Sequence, residues 1–138
     1  NTSTLGDAAG EMAALTAINL GFSPTLINAS RTRTCAMSAT GVTKCWGLNS
    51  SGQLAKGSTT TLGSAAGHMA ALAAINFGTS VTASTMASAW YSSCVITTNK
   101  RIKCFGNSGS GALLNTSTTA HIGDAVGELR DGMPWVNH

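Results

Sequence analysis

The sequence predicts an all-β protein made of tandem repeats with disulfide-stapled hairpins, and three observations carry that expectation. The stretch STLGDAAGEMAALTAINLG (3–21) returns as TTLGSAAGHMAALAAINFG (60–78), an offset of 57 residues. TCAMSATGVTKCWG (34–47) returns as SCVITTNKRIKCFG (93–106), each copy with two cysteines placed symmetrically about a turn. GEMAAL and GHMAAL have helix-forming composition but are too short for a full helix, and they read as a turn or one helical turn in the connections between strand groups.

Self-similarity at this period marks an architecture in which each unit buries its apolar face only against its neighbours. The loop NSSGQLAKGST (49–59) also returns, as NSGSGALLNTST, and a third copy begins as HIGDAVGELRDGMPWVNH (121–138). The chain therefore divides into unit 1 (1–57), unit 2 (58–116) and a partial third unit (117–138), the last a candidate strand-exchange segment.

Inside each unit a short run, AINLG or AINFG, closes at Gly21 or Gly78, and two further β-runs follow. If Ser38 pairs with Val42 across a three-residue turn, then Met37 faces Thr43, Ala36 faces Lys44 and Cys35 faces Cys45. Gly41 falls where such a turn needs a left-handed residue. The same arithmetic sets Cys94 opposite Cys104 about Thr98, Asn99 and Lys100. Directly opposed residues on antiparallel strands have close to the Cβ separation of a disulfide.

Other cysteine chemistries fit less well. Zinc needs closely spaced cysteine pairs or nearby histidines, and His68, His121 and His138 occupy non-equivalent places. Redox chemistry needs a CxxC or a thiol beside a cation. Lys44 and Lys103 do precede Cys45 and Cys104, but adjacent strand residues point to opposite faces. The pairs Cys35–Cys45 and Cys94–Cys104 are read as staples, which places the chain in an oxidising compartment, secreted or at the cell surface.

Composition agrees with that placement. Charged residues make up 9% of the chain, against roughly 25% in an ordinary soluble protein, while Ser and Thr make up about a quarter. Hydroxyls, with or without sugars, must keep this surface wet, and weak like-charge repulsion leaves the chain free to associate. The net charge of +3 is scattered apart from Lys100, Arg101 and Lys103. A nucleic-acid surface needs a broad basic stripe, so no nucleic-acid partner is expected. No apolar run approaches the ~20 residues of a membrane span, and no signal peptide is present. The first residue is Asn1, so a processed mature protein or a piece of something longer is expected.

RTRTCAMSATGVTKCWGLNSSGQLAKGST resembles the repeat of the regulator of chromosome condensation (RCC1). In that repeat a His-Thr-x-x-Leu strand, a glycine turn, a strand ending in Trp-Gly and an Asn-x-x-Gly-Gln-Leu-Gly loop form part of one propeller blade. The matching residues are Cys45, Trp46, Gly47, Asn49, Gly52, Gln53 and Leu54. GDAAGEM and INLG resemble the blade-to-blade connection of secreted, cysteine-containing members. Arg33 stands where His is usual, Ala55 where the loop's last Gly is expected, and in unit 2 Phe105 and Ala112 replace Trp and Gln. The resemblance implies tandem RCC1-like propeller-blade repeats able to present a binding surface, as in the similar β-lactamase inhibitor proteins. It does not carry over nucleotide exchange, because none of that activity's interaction residues can be placed here.

Two full units and part of a third are short of the roughly three or more neighbours such repeats need. The terminal run MPWVNH duplicates in role the strand near Ile18, so a strand around Trp135 and Val136 would complete a blade in the next molecule. Packing inside the same chain is the alternative. Head-to-tail contact of that kind yields a ring or a fibre.

Sequons occur at Asn1, Asn28, Asn49 and Asn115; of these Asn28, Asn49 and Asn115 are taken as candidate glycan sites, alongside unmodified turn asparagines. No catalytic residue, metal site or cofactor is expected. Asp7 and Glu11 recur as Asp124 and Glu128, but the middle copy has Ser64 and His68, so they read as solvated connection residues rather than a calcium or general-acid pair. The expected function is a secreted, non-enzymatic structural protein that self-assembles through its β-blades into an extracellular fibre or sheath, with or without glycans. The alternative is a fragment of a secreted propeller acting as a protein- or glycan-binding module.

Overall fold

Both cysteine hairpins form the antiparallel pairs that the spacing predicts, and each recruits a further strand. The computed structural model describes residues 5–109, 113 and 120–136. Blade 1 comprises β1 (Pro24–Ala29), β2 (Arg33–Ser38) and β3 (Thr43–Gly47), in that order across the sheet. Blade 2 repeats it with β4 (Ala83–Ser88), β5 (Ser92–Thr97) and β6 (Ile102–Gly106). Pro24 and Ala83 open the two blades, so equivalent strand residues differ by 59 in number. Ile27 thus corresponds to Met86, Met37 to Ile96 and Trp46 to Phe105.

The register of β2 and β3 is Met37–Thr43, Ala36–Lys44 and Cys35–Cys45, and that of β5 and β6 sets Cys94 opposite Cys104. Gly41 closes the first hairpin at φ +82°, and its amide donates to the Ser38 carbonyl at 3.0 Å. A Cβ there would lie 2.4 Å from the Ala83 carbonyl oxygen, so blade 2 presses on a turn that only glycine fills. In the second hairpin Lys100 takes the equivalent place at φ +65°. Ala55, where the repeat pattern has Gly, also adopts a left-handed conformation, at φ +48°.

Each third strand has its outer edge covered by residues from the following sequence unit. The Ile75 amide donates to Thr43 O at 2.8 Å on blade 1, and the Val136 amide donates to Ile102 O at 3.0 Å on blade 2. Trp135 forms an antiparallel bridge with Lys103 beside it. A blade is therefore closed by the run after its own repeat, not by the run before it.

The segments GEMAAL and GHMAAL are turns, as their length predicts, closed by Ala14 N–H to Gly10 O and Ala71 N–H to Gly67 O. One apolar core runs through both blades and includes Met37, Leu54, Phe77, Met86, Val95, Phe105 and Met133. A smaller cluster of Leu20, Ala36 and Leu72 lies at the opposite side of blade 1. Among the described residues no helix is long and apolar enough to cross a membrane.

Candidate functional site

The blade-to-blade contact is the best-built polar and apolar surface of the molecule. Arg33 opens β2 and is buried, and its guanidinium reaches across to blade 2. It donates to Ala89 O (3.3 Å), Trp90 O (3.4 Å), Ser92 O and Ser93 Oγ (2.5 Å). Burial lowers its pKa to about 10, so it stays charged at neutral pH. Asn28 on β1 donates from Nδ2 to Met86 O at 3.5 Å. Around these bonds the core brings Cys35, Met37 and Cys45 of blade 1 together with Met86, Val95 and Phe105 of blade 2.

Repeat equivalence shows what the two ends of this stack lack. Met86 is 5% exposed, but its counterpart Ile27, on the far face of blade 1, is 70% exposed. Phe105 is fully buried whereas Trp46 is half-buried, and Lys103 is buried whereas Lys44 is half-buried. At the other end Met37 is 3% exposed and its counterpart Ile96 is 40% exposed. Ile96, Ile102, Cys94, Thr85 and Ala87 line an apolar hollow of about 250 Å³ on the outer face of blade 2. Part of the apolar contact thus recurs at each end, without the Arg33 and Asn28 bonds, whose counterparts on blade 2 are Ser92 and Ala87.

The Cys35–Cys45 bond (S–S 2.05 Å) is buried against blade 2, and the Cys94–Cys104 bond (2.06 Å) borders that hollow. Two of the candidate glycan sites make internal contacts. Asn49 is fully buried: its Oδ1 accepts the Leu54 amide at 2.8 Å and its Nδ2 donates to Ser58 O at 2.6 Å. The nitrogen that would carry a sugar instead holds the loop closed. Asn28 turns the corresponding nitrogen into the blade contact, with its Oδ1 buried beside it. Asn115 lies outside the described residues.

Trp135 and Val136 pair with β6 of their own chain, the same-chain packing that the sequence leaves open beside strand exchange. The reason is local chemistry. The Arg101 guanidinium lies 3.9 Å from the centroid of the Trp135 ring and Lys103 Nζ lies 4.5 Å from it, so two cations of the blade hold the indole. Lys103 Nζ also donates to Phe77 O (2.6 Å) and Arg130 O (2.9 Å). The run near Ile18 has the same role in sequence but no such edge: Ile18 is 52% exposed, against 7% for Ile75 and 8% for Val136.

The repeated glutamates are caps. Glu11 accepts the amides of Gly6, Asp7 and Ala8 at 2.8 to 3.1 Å, and Glu128 accepts those of Gly123 and Ala125 at 3.0 and 3.1 Å. His68 does the same in the middle copy, accepting the Gly63 amide on Nδ1 at 3.1 Å. Backbone bonds, those of Ala8 and Gly6 foremost, hold the Glu11 carboxyl below its ordinary range. A hydrogen-bond acceptor is what this position needs, which is why Glu and His interchange there. Among the described residues no three His, Cys, Asp or Glu side chains cluster.

Sequence reasoning missed Ile27 and Ile96, since an isoleucine on a strand reads as core. It also missed Trp90 and Tyr91, which meet edge to face at 6.4 Å on an exposed turn with the Arg31 guanidinium 5.0 Å from the Trp90 ring.

Known structures share this architecture. Human WBSCR16 superposes with a TM-score of 0.60 at 13% identity, over 87% of this chain and 26% of that one. Yeast RCC1 (Prp20), solved with Kap60 bound, gives 0.58 at 13% identity over 85% and 23%. Prp20p of Saccharomyces cerevisiae, described with its binding to Gsp1p and histones, gives 0.54 at 15% identity over 68% and 21%. The chain has the fold of RCC1-like propeller blades and spans about a quarter of the length of these proteins. No family model matches the chain, and no curated protein matches it in sequence.

Proposed function

We propose that this chain is a secreted, non-enzymatic structural protein whose RCC1-like blades pack between copies into an extracellular fibre or sheath. One observation carries the reading: each end of the two-blade stack exposes residues whose repeat equivalents are buried by a neighbouring blade, Ile27 at 70% against Met86 at 5%. A repeat unit is stabilised by its neighbours, so an uncovered face is a site that another blade can fill. Two disulfides suit an oxidising compartment, and a surface with few charges opposes close packing only weakly. The exposed hydroxyls, and Asn115 among the sequons, are where glycans would attach.

Electron microscopy of the undenatured protein from its source, with an intact mass of the same material, tests this. Long regular fibres made of a chain of this size are the expected result. Discrete particles, or one long chain carrying many blades, would overturn it.

A second reading is favoured by the exposed Trp90–Tyr91 pair and Arg31, an aromatic and cationic platform suited to stacking on a sugar ring or a partner side chain. The chain would then act as a protein- or glycan-binding module within a propeller. Glycan-array binding that Trp90→Ala abolishes would establish it.

A further inference from the structure

The open faces identify how copies would meet. We infer that the molecule stacks head to tail, the Ile27 and Trp46 face of blade 1 seating on the outer face of blade 2 in a second copy, around Ile96, Ile102 and Ala87. This rests on the assembly reading above and adds the surface and the geometry.

The chain already contains one worked example of the contact. Where blade 1 meets blade 2, Met86, Val95 and Phe105 complete a core with Met37 and Cys35. Shifted by one repeat, the first set becomes Ile27 and Trp46, with Ala36 already buried by Leu20 and Leu72 of its own chain, and the second becomes Ile96 and Cys94. All are apolar, and the hollow beside Ile96 is lined almost wholly by apolar side chains. The Asn28 side chain contacts the backbone of Met86, so its counterpart Ala87 is placed to meet the backbone of Ile27 in the next copy. Such a contact joins two different surfaces, so it propagates until it closes a ring or runs on as a filament.

The pairing needs no exchange of strands. The edge of β6 is filled by Trp135 and Val136 of its own chain, held by the Arg101 and Lys103 cations. In the following copy, the run at Ile18 that would compete for this edge is exposed from residue 12 to residue 19, with Leu20 its first buried residue. It can swing aside while Leu20 stays anchored through Lys44 Nζ, which donates to its carbonyl at 2.8 Å.

The test uses the full oxidised chain in sedimentation velocity. Wild type is expected to run as species larger than a monomer, and Ile27→Asp and Ile96→Asp each as a monomer. An equimolar mixture of the two variants should give a discrete dimer, because each blocks one face and leaves the other intact. Ala87→Arg gives a second block of the blade 2 face should Ile96→Asp fail to fold, as far-UV circular dichroism would show. Ile18→Asp should assemble like wild type; a loss there would replace face stacking with strand exchange. Wild-type assembly that survives Ile27→Asp or Ile96→Asp, or a mixture that stays monomeric, would overturn the stacking while leaving assembly itself standing. A wild type that stays monomeric at every concentration would sink both.

Discussion

Arg33 offers the most direct test of what joins the blades. Arg33→Met keeps most of the aliphatic stem and removes the guanidinium donors that cross to blade 2, leaving Asn28 Nδ2 in place. Of the four bonds lost, those to Ala89 O and Trp90 O are long, at 3.3 and 3.4 Å, and border exposed residues that water can reach. Ser92 O and Ser93 Oγ make the closer bonds, and each keeps another partner, the Ala89 amide at 2.9 Å and Ser88 Oγ at 2.8 Å. No acceptor is left fully orphaned, so the loss is the net value of about two charge-assisted bonds. It is reduced by the relief of burying a cation whose Nε has no partner. That comes to about 2 kcal/mol, or a fall of roughly 7 °C in Tm for a chain of this size. The assay is thermal unfolding with both disulfides intact, accompanied by amide exchange. Protection should fall at residues 89–93, and Arg33→Lys should recover at most half of the lost stability, since an ammonium cannot span the fork. A change below about 0.5 kcal/mol, or exchange that rises in the β2–β3 hairpin and not at 89–93, would refute the role.

Four further outcomes are expected. Replacing Cys35 and Cys45 together by Ser should cost roughly 3 kcal/mol from the entropy of a loop of this length, read as a shift in the denaturant midpoint. The two cysteine turns should respond in opposite directions: Lys100→Gly relieves a left-handed lysine and should stabilise by ~1 kcal/mol, while Gly41→Ala meets both the positive φ and the Ala83 carbonyl and should destabilise by more than about 2 kcal/mol. Asn49→Ala removes two buried bonds of the 49–58 loop and should cost about 2 kcal/mol, and peptide mapping of native material should find Asn49 without a sugar. Burial, with the Lys44 charge adding to it, pushes Lys56 down to about 8. The unfolded chain then holds the extra proton up to its ordinary pKa of about 10.4, so stability contributed through Lys56 should rise with pH between those values. A Lys56→Met variant should lack that rise in a pH series of melts.

Much of the fold could be read from residue spacing because the relevant interactions are local. A period-2 strand, a three-residue turn and a left-handed residue at position 41 specify which residue of β3 faces which residue of β2, and Cys35–Cys45 follows. The strands β1 and β4 were harder. PTLINA and ASTMAS carry few β-branched or aromatic residues and no clean alternation, and each is bulged near its start. They are strands because β2 and β5 each leave an edge to fill and the neighbouring blade covers one side, not because of intrinsic preference. Asn49 misled for a related reason: a sequon in a glycine-rich loop reads as exposed, and only the folded loop turns that amide inward.

By itself the sequence determined the repeat, read from its offset of 57 residues, and, each within some fifteen residues of chain, the hairpin registers, the cysteine pairing and the loop residues that resemble the RCC1 repeat. Only the tertiary structure decided which strand closes which blade, that Arg33 and Asn28 face across the blade contact, and that Trp135 stays on its own β6. Those outcomes depend on contacts between residues about 26 to 60 positions apart, such as Lys103 with Phe77 and Arg33 with Ser93. Such contacts form after the loop-closure entropy has been overcome and are chosen by whichever surfaces then fit, so no short stretch of residues encodes them. The exposure of Ile27 and Ile96 belongs to the same class: each residue is apolar in the sequence, and its place at an uncovered end exists only once the blades have stacked.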